Sequence, residues 1–257
     1  MAANTSGTTH AFFSVSALFF VASAALTTYM CASMSTMGMP MPGDWTMSMA
    51  WMRMPGQTWT AAAASFLGMW TVMMVAMMLP SLVPTLWRYH EAMSRAHPSR
   101  RGVLTLLVGL GYFIVWTAFG VATFPLGAAL ATVEMQHPSL ARIVPIGVSV
   151  IVVIAGALQF TAWKARQLAC YREAARLDDP LPTEAGTAVR HGIRLGLDCS
   201  ACCANLMVIL LVIGVMDLGV MAAVTAAITV ERLAPAGERA ARVIGVIVMA
   251  TGLMLIV

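Results

Sequence analysis

The stretch Trp59–Trp87, WTAAAASFLGMWTVMMVAMMLPSLVPTLW, holds no Asp, Glu, Lys, Arg or His in 29 residues. As an α-helix it would extend about 43 Å at roughly 1.5 Å per residue, more than the roughly 30 Å hydrocarbon core of a bilayer. A segment in lipid must satisfy its own backbone hydrogen bonds, which makes helix the expected form. Six further segments of the 257-residue chain meet the same reading, at about 10–30, 102–131, 143–163, 197–216, 218–233 and 239–257, the one at 218–233 being short. With 60% hydrophobic and 10% charged residues, the composition is that of an integral membrane protein. The expected fold class is all-α, a polytopic transmembrane helical bundle of about seven spans.

The basic residues orient that bundle. With the N-terminus inside, thirteen of the fifteen Lys and Arg fall in inner connections and two, Arg53 and Arg142, in outer ones. This places the C-terminus outside and accounts for the net charge of +4 without a nucleic-acid partner. The expected location is a membrane crossed several times, with the N-terminus inside, the Met-rich loop outside and lipid as the surrounding partner. Ala22-Ser23-Ala24 resembles a signal cleavage site, but no Lys or Arg precedes the apolar run, so the first span is read as retained. Its removal would leave six spans. Two regions follow: 1–58, a span and a Met-rich outer loop, and 59–257, a helical membrane domain with an inner polar segment at about 164–195.

Fourteen of the twenty-two methionines lie between Met30 and Met78, a window with one leucine, Leu67. From Leu79 onward there are twenty-three leucines and seven methionines. Apolar filling would use leucine, isoleucine and valine as readily, so the thioether itself is what the window concentrates. Thioether sulfur is a soft neutral ligand for Cu(I) and needs no deprotonation. The loop supplies Met34, Met37, Met39, Met41, Met47, Met49, Met52 and Met54, broken by Gly38, Pro40, Pro42, Gly43, Pro55 and Gly56. Trp45, Trp51 and Trp59 read as interfacial anchors. The second span continues with Met69, Met73 and Met77 within about 80° on one helix face, and Met74 and Met78 on a neighbouring ridge. Such a ladder rises about 13 Å. Adaptable packing is the competing reading of the same residues. Pro80 and Pro84 predict a kinked or unwound inner half of this span.

A second group of sulfurs opens the fifth span at Cys199, Cys202 and Cys203, with Cys170 in the polar segment expected across from them. Helical spacing lets Cys199 share a face with each of the other two. A thiolate site for Cu(I), with zinc as the alternative metal, a redox pair, and small buried hydrophobes are the three readings of this cluster. Glu231 and Arg232 are read as pairing with each other. No nucleotide loop, nucleophile triad or two-histidine metal helix is present, so no enzyme is expected.

Taken in order, Met69-Trp70 through Ala76-Met77-Met78-x-Pro80-Ser81, Cys170 with its basic flank, Cys199-x-x-Cys202-Cys203 with Met207, and Glu231-x-Leu233-Ala234-Pro235 resemble a bacterial family of predicted metal-binding integral membrane proteins of unknown function. The resemblance covers roughly residues 50–257 and implies metal binding on a polytopic helical fold. The function expected is capture of Cu(I) on outer thioethers and movement towards inner thiolates, that is, copper transport. The alternatives are a membrane chaperone that loads a copper enzyme without net transport, and a thiol–disulfide oxidoreductase. A copper-handling protein partner is expected, and a homo-oligomer is compatible with the sequence.

Overall fold

The structure, a computed structural model, describes residues 2–35, 38–43, 45–176 and 182–255. Helix α1 (Ala2–Ser35) leads to a two-stranded antiparallel hairpin, β1 (Met39–Met41) and β2 (Trp45–Met47), and a 3-10 turn at Met49–Trp51. Then come α2 (Trp59–Ala96), α3 (Arg101–Gln136), the single turn α4 (Pro138–Ala141), α5 (Val144–Leu158), α6 (Ala162–Ala174), α7 (Ala185–Ile213), α8 (Leu218–Leu233) and α9 (Gly237–Met254). The all-helical class holds, and the hairpin is a local fold of the loop. Helix α1 begins at Ala2, so the small polar residues at its start extend the helix.

Among the described residues, four helices are long and apolar enough to cross a membrane, within Gly7–Met34, Trp59–Ala96, Arg101–Gln136 and Ala185–Ile213. A fifth crossing results if α5 and α6, bent by 66° at the break between them, count as one. The expectation of seven differs for physical reasons. Helix α8 has 16 residues and rises about 24 Å, short of the bilayer core. Helix α9 opens with Glu238, Arg239 and Arg242, which leaves its apolar part shorter still.

Helices α2, α3, α7 and α8 touch in sequence to form a ring, with α1 against α2 and α5, α6 and α9 on the far side of α7 and α8. The caps explain where several helices start. Thr58 accepts from the amide of Ala61, Thr161 from Lys164 and Asp217 from Val220, each filling an orphan donor of a first turn. Gly214, at φ 153°, ends α7 in a conformation side chains disfavour. Helix α2 stays helical through Pro80 and Pro84, so of the kinked or unwound inner half expected there, the unwinding does not occur. Each proline removes one hydrogen bond, and packing on neighbouring helices along the length of α2 outweighs that loss.

The crossing of α3 and α7 is set by small residues. A side chain at Gly192 would run into the carbonyl and Cα of Val108, and one at Gly111 into Val189 and Gly192. Backbones this close leave no room for a methyl group. Gly192→Ala should therefore lower stability by about 1–3 kcal/mol through overpacking. Gly102→Ala, with open space around it, should leave thermal unfolding in detergent within about 0.5 kcal/mol of the parent. Equal unfolding temperatures for the two variants would contradict the close crossing.

Candidate soft-metal site

The buried core of the bundle is rich in sulfur. Met69, Met73, Met74, Met77 and Met78 are each at most 5% exposed and belong to one buried cluster with Cys31, Cys199, Cys202, Cys203, Met207 and Met221. Trp70 helps fix the rotation of α2: its Nε1 donates to the carbonyl of Trp116 at 2.8 Å, and its ring rests where Gly120 has no side chain. With that face pinned to α3, the methionine ladder is held inside the bundle.

Two contacts give the site an axis. At the hairpin end, Cys31 Sγ lies 3.7 Å from Met216 Sδ in the turn before α8. At the other end, Arg232 Nη1 donates to Ser81 Oγ at 3.0 Å and Nη2 to the Cys199 carbonyl at 3.0 Å, with Cys199 Sγ 2.9 Å away. Helix α2 thus runs towards this level and α7 away from it. Counting about 1.5 Å per residue, the ladder from Met69 to Met78 lies along the way from one level to the other, and Met207 stands about 12 Å from Cys199 along α7.

The remaining loop sulfurs are distributed differently. The hairpin pairs Met39 with Met47 and Met41 with Trp45, which puts Met39, Met41 and Met47 on one face. Met47 is buried and Met39 exposed. Met34, Met49 and Met52 are half-buried, Met54 is exposed, and Met37 lies outside the described residues. Trp45 Nε1 donates to the Ala141 carbonyl and Trp51 fills the space above Gly127, so these two rings tie the hairpin to α3 and α4. Trp59 is exposed, with Arg53 over its ring.

The thiols divide in the same way. Cys199, Cys202 and Cys203 are buried, and Cys199 Sγ is also 2.7 Å from the Tyr112 hydroxyl. Cys170 is exposed, so it does not face them from across the bundle; its neighbour Tyr171 is the residue of α6 that turns inward. Among the described residues no three His, Cys, Asp or Glu side chains converge as a metal cage. A soft ion in this ring would need thioether ligands alongside thiols.

Charged residues not assigned to the site by sequence surround the thiol level. Lys164 Nζ is 2.7 Å from Glu231 Oε2 and donates to the Cys202 carbonyl at 2.7 Å, while Gln159 donates to the second Glu231 oxygen at 2.6 Å. Both charged side chains are at most 2% exposed. Glu231 and Arg232 therefore do not pair with each other. Adjacent residues on a helix point about 100° apart, and each finds its partner on a different helix. Lys164, which opens the inner polar segment read from the sequence, is instead buried.

A family model described as a copper chaperone, PpoB2, matches residues 67–255. No curated protein and no solved structure matches the chain. The matched region takes in the methionine ladder, the three buried thiols and the Lys164–Glu231–Arg232 network, and excludes the hairpin.

Proposed function

This chain belongs to the copper-chaperone family PpoB2, and we propose that it is a membrane-embedded carrier that holds Cu(I) on sulfur inside the α2–α3–α7–α8 ring and passes it to a copper protein. The observation that carries this reading is the enclosure of five α2 methionines in one core with Cys199, Cys202, Cys203 and Met207. Leucine would pack such a core as well, whereas only thioether and thiol sulfur offer soft ligands. Neutral thioethers bind Cu(I) more loosely than thiolates, so a ladder of them favours an ion that must leave again. The bundle carries outward-facing Leu18, Leu106 and Ile247, each at least 60% exposed, which suit contact with lipid. The proposed setting is a bacterial inner membrane, with the N-terminus inside and the hairpin outside.

Net transport is the second reading, and it rests on the axis of sulfurs from Cys31 and Met216 along α2 to Cys199. Deleting the protein from cells separates the two. The chaperone reading expects a copper enzyme to lose most of its activity with total cell copper unchanged, and sealed vesicles holding the protein to take up no more Cu(I) than empty ones. Vesicle uptake above that background would favour transport, and an unaltered enzyme with no uptake would remove both. A thiol–disulfide exchange role needs an accessible thiolate, and the three clustered thiols are at most 1% exposed.

A further inference from the structure

Beside the thiol level, the bundle opens into a cavity of about 290 Å³ that Arg232 helps to line. Its floor is Ser81, Tyr171 and Arg232, and its wall and rim carry Arg88, Arg172 and Arg176. Among the described residues, four arginines line it and no Asp or Glu does. Of the described carboxylates nearby, Glu231 is held by Lys164 and Gln159, and Glu173 makes a 3.7 Å contact with Arg176 in which both side chains are about two-thirds exposed or more. Such an exposed pair neutralises little.

Arg232 makes the cavity a built site. It is 6% exposed, stacks over the Tyr171 ring at 4.2 Å, and has no carboxylate within ion-pair distance among the described residues. Among the described residues its Nε, itself buried, has no hydrogen-bond partner. A buried guanidinium with an unused donor is costly unless a counter-charge reaches it. Arg172 is held in place by its own bonds to the Ala234 and Glu231 carbonyls, over a position where Gly237 leaves room, so part of the wall is preorganised.

We propose that this cavity binds an oxoanion of the phosphate class, with Arg232 at its floor and Arg88 and Arg176 at its mouth. The planar, permanently charged guanidinium matches phosphate oxygens in paired hydrogen bonds. The volume admits a small molecule's phosphate or the headgroup of an anionic lipid lying at this end of the bundle. An anion seated on Arg232 competes with the Cys199 sulfur for the same guanidinium, so occupancy would be felt at the copper-handling core. That coupling rests on the copper reading, whereas binding of the anion does not.

The test uses the full chain, free of copper, at fixed ionic strength in chloride. One arm titrates inorganic phosphate into protein in neutral detergent by calorimetry. The other reconstitutes the protein in nanodiscs of phosphatidylglycerol and phosphatidylcholine and measures which lipid is retained on release, by native mass spectrometry. Saturable phosphate binding, phosphatidylglycerol retention, or both are expected, weakened about tenfold by Arg88→Gln and by Arg176→Gln, as for loss of one charge-assisted hydrogen bond. Both arginines are at the surface, so the variants keep the fold. Phosphate binding alone assigns a soluble ligand, and lipid retention alone assigns a headgroup. No binding in either arm, or binding indifferent to both substitutions, overturns the proposal; because no copper is present, that outcome leaves the copper reading standing.

Discussion

Replacing Met73 and Met77 together by leucine is expected to reduce bound Cu(I) at least about tenfold, with little change in unfolding temperature. The two residues are one helical turn apart and at most 3% exposed. Leucine nearly preserves volume and apolarity, so the packing cost of each exchange stays below about 1.5 kcal/mol. What disappears is the sulfur, and loss of a tenfold in affinity corresponds to about 1.4 kcal/mol of ligand contribution. Metal analysis of the protein purified under reducing conditions, paired with thermal unfolding, separates the two effects. Met93→Leu serves as the control, since Met93 is equally buried on α2 but lies beyond both prolines, away from the ladder. Copper retained by the double variant, or lost equally from Met93→Leu, would return the methionines to the role of packing.

The long apolar runs of α2, α3 and α7 were legible because hydropathy over twenty or more residues fixes a helix with little help from its neighbours. Helix α8 was harder. Sixteen residues suffice inside a bundle where α2, α7 and α9 cover it, and sequence does not show that cover. The concentration of methionine named one half of the candidate site, and the spacing of Cys199, Cys202 and Cys203 the other. What composition hid was which polar residues go inside. Lys164 sits among Arg166, Arg172 and Arg176 in the chain and looks like them, yet the bend after α5 turns it into the core beside Asn205 and Glu231. A usable signal was present in α8, where Glu231 and Arg232 end an otherwise uncharged helix. Charges so placed usually meet specific partners. Pairing them with each other overlooked the 100° between neighbours on a helix.

Glu231→Ala should be the most destabilising single exchange in this network, costing about 3–5 kcal/mol, because it leaves Lys164 as a buried cation without a counter-charge. The lysine would keep only neutral acceptors, the Cys202 carbonyl and a longer contact of 3.5 Å to Asn205 Oδ1, and Gln159 would lose the acceptor of its amide. Thermal unfolding in detergent measures the loss. The paired exchange of Lys164→Met with Glu231→Met removes both charges and fills similar space, and it should regain most of that stability, since an apolar replacement avoids the desolvation both ions suffer. If the double variant is as unstable as Glu231→Ala, the pair holds α6 to α8 by geometry that an apolar contact does not reproduce. If Glu231→Ala unfolds like the parent, Lys164 is not confined between these helices. The Cys202 carbonyl would then lose a donor, and the thiol level would no longer be tied to α6 in the way described.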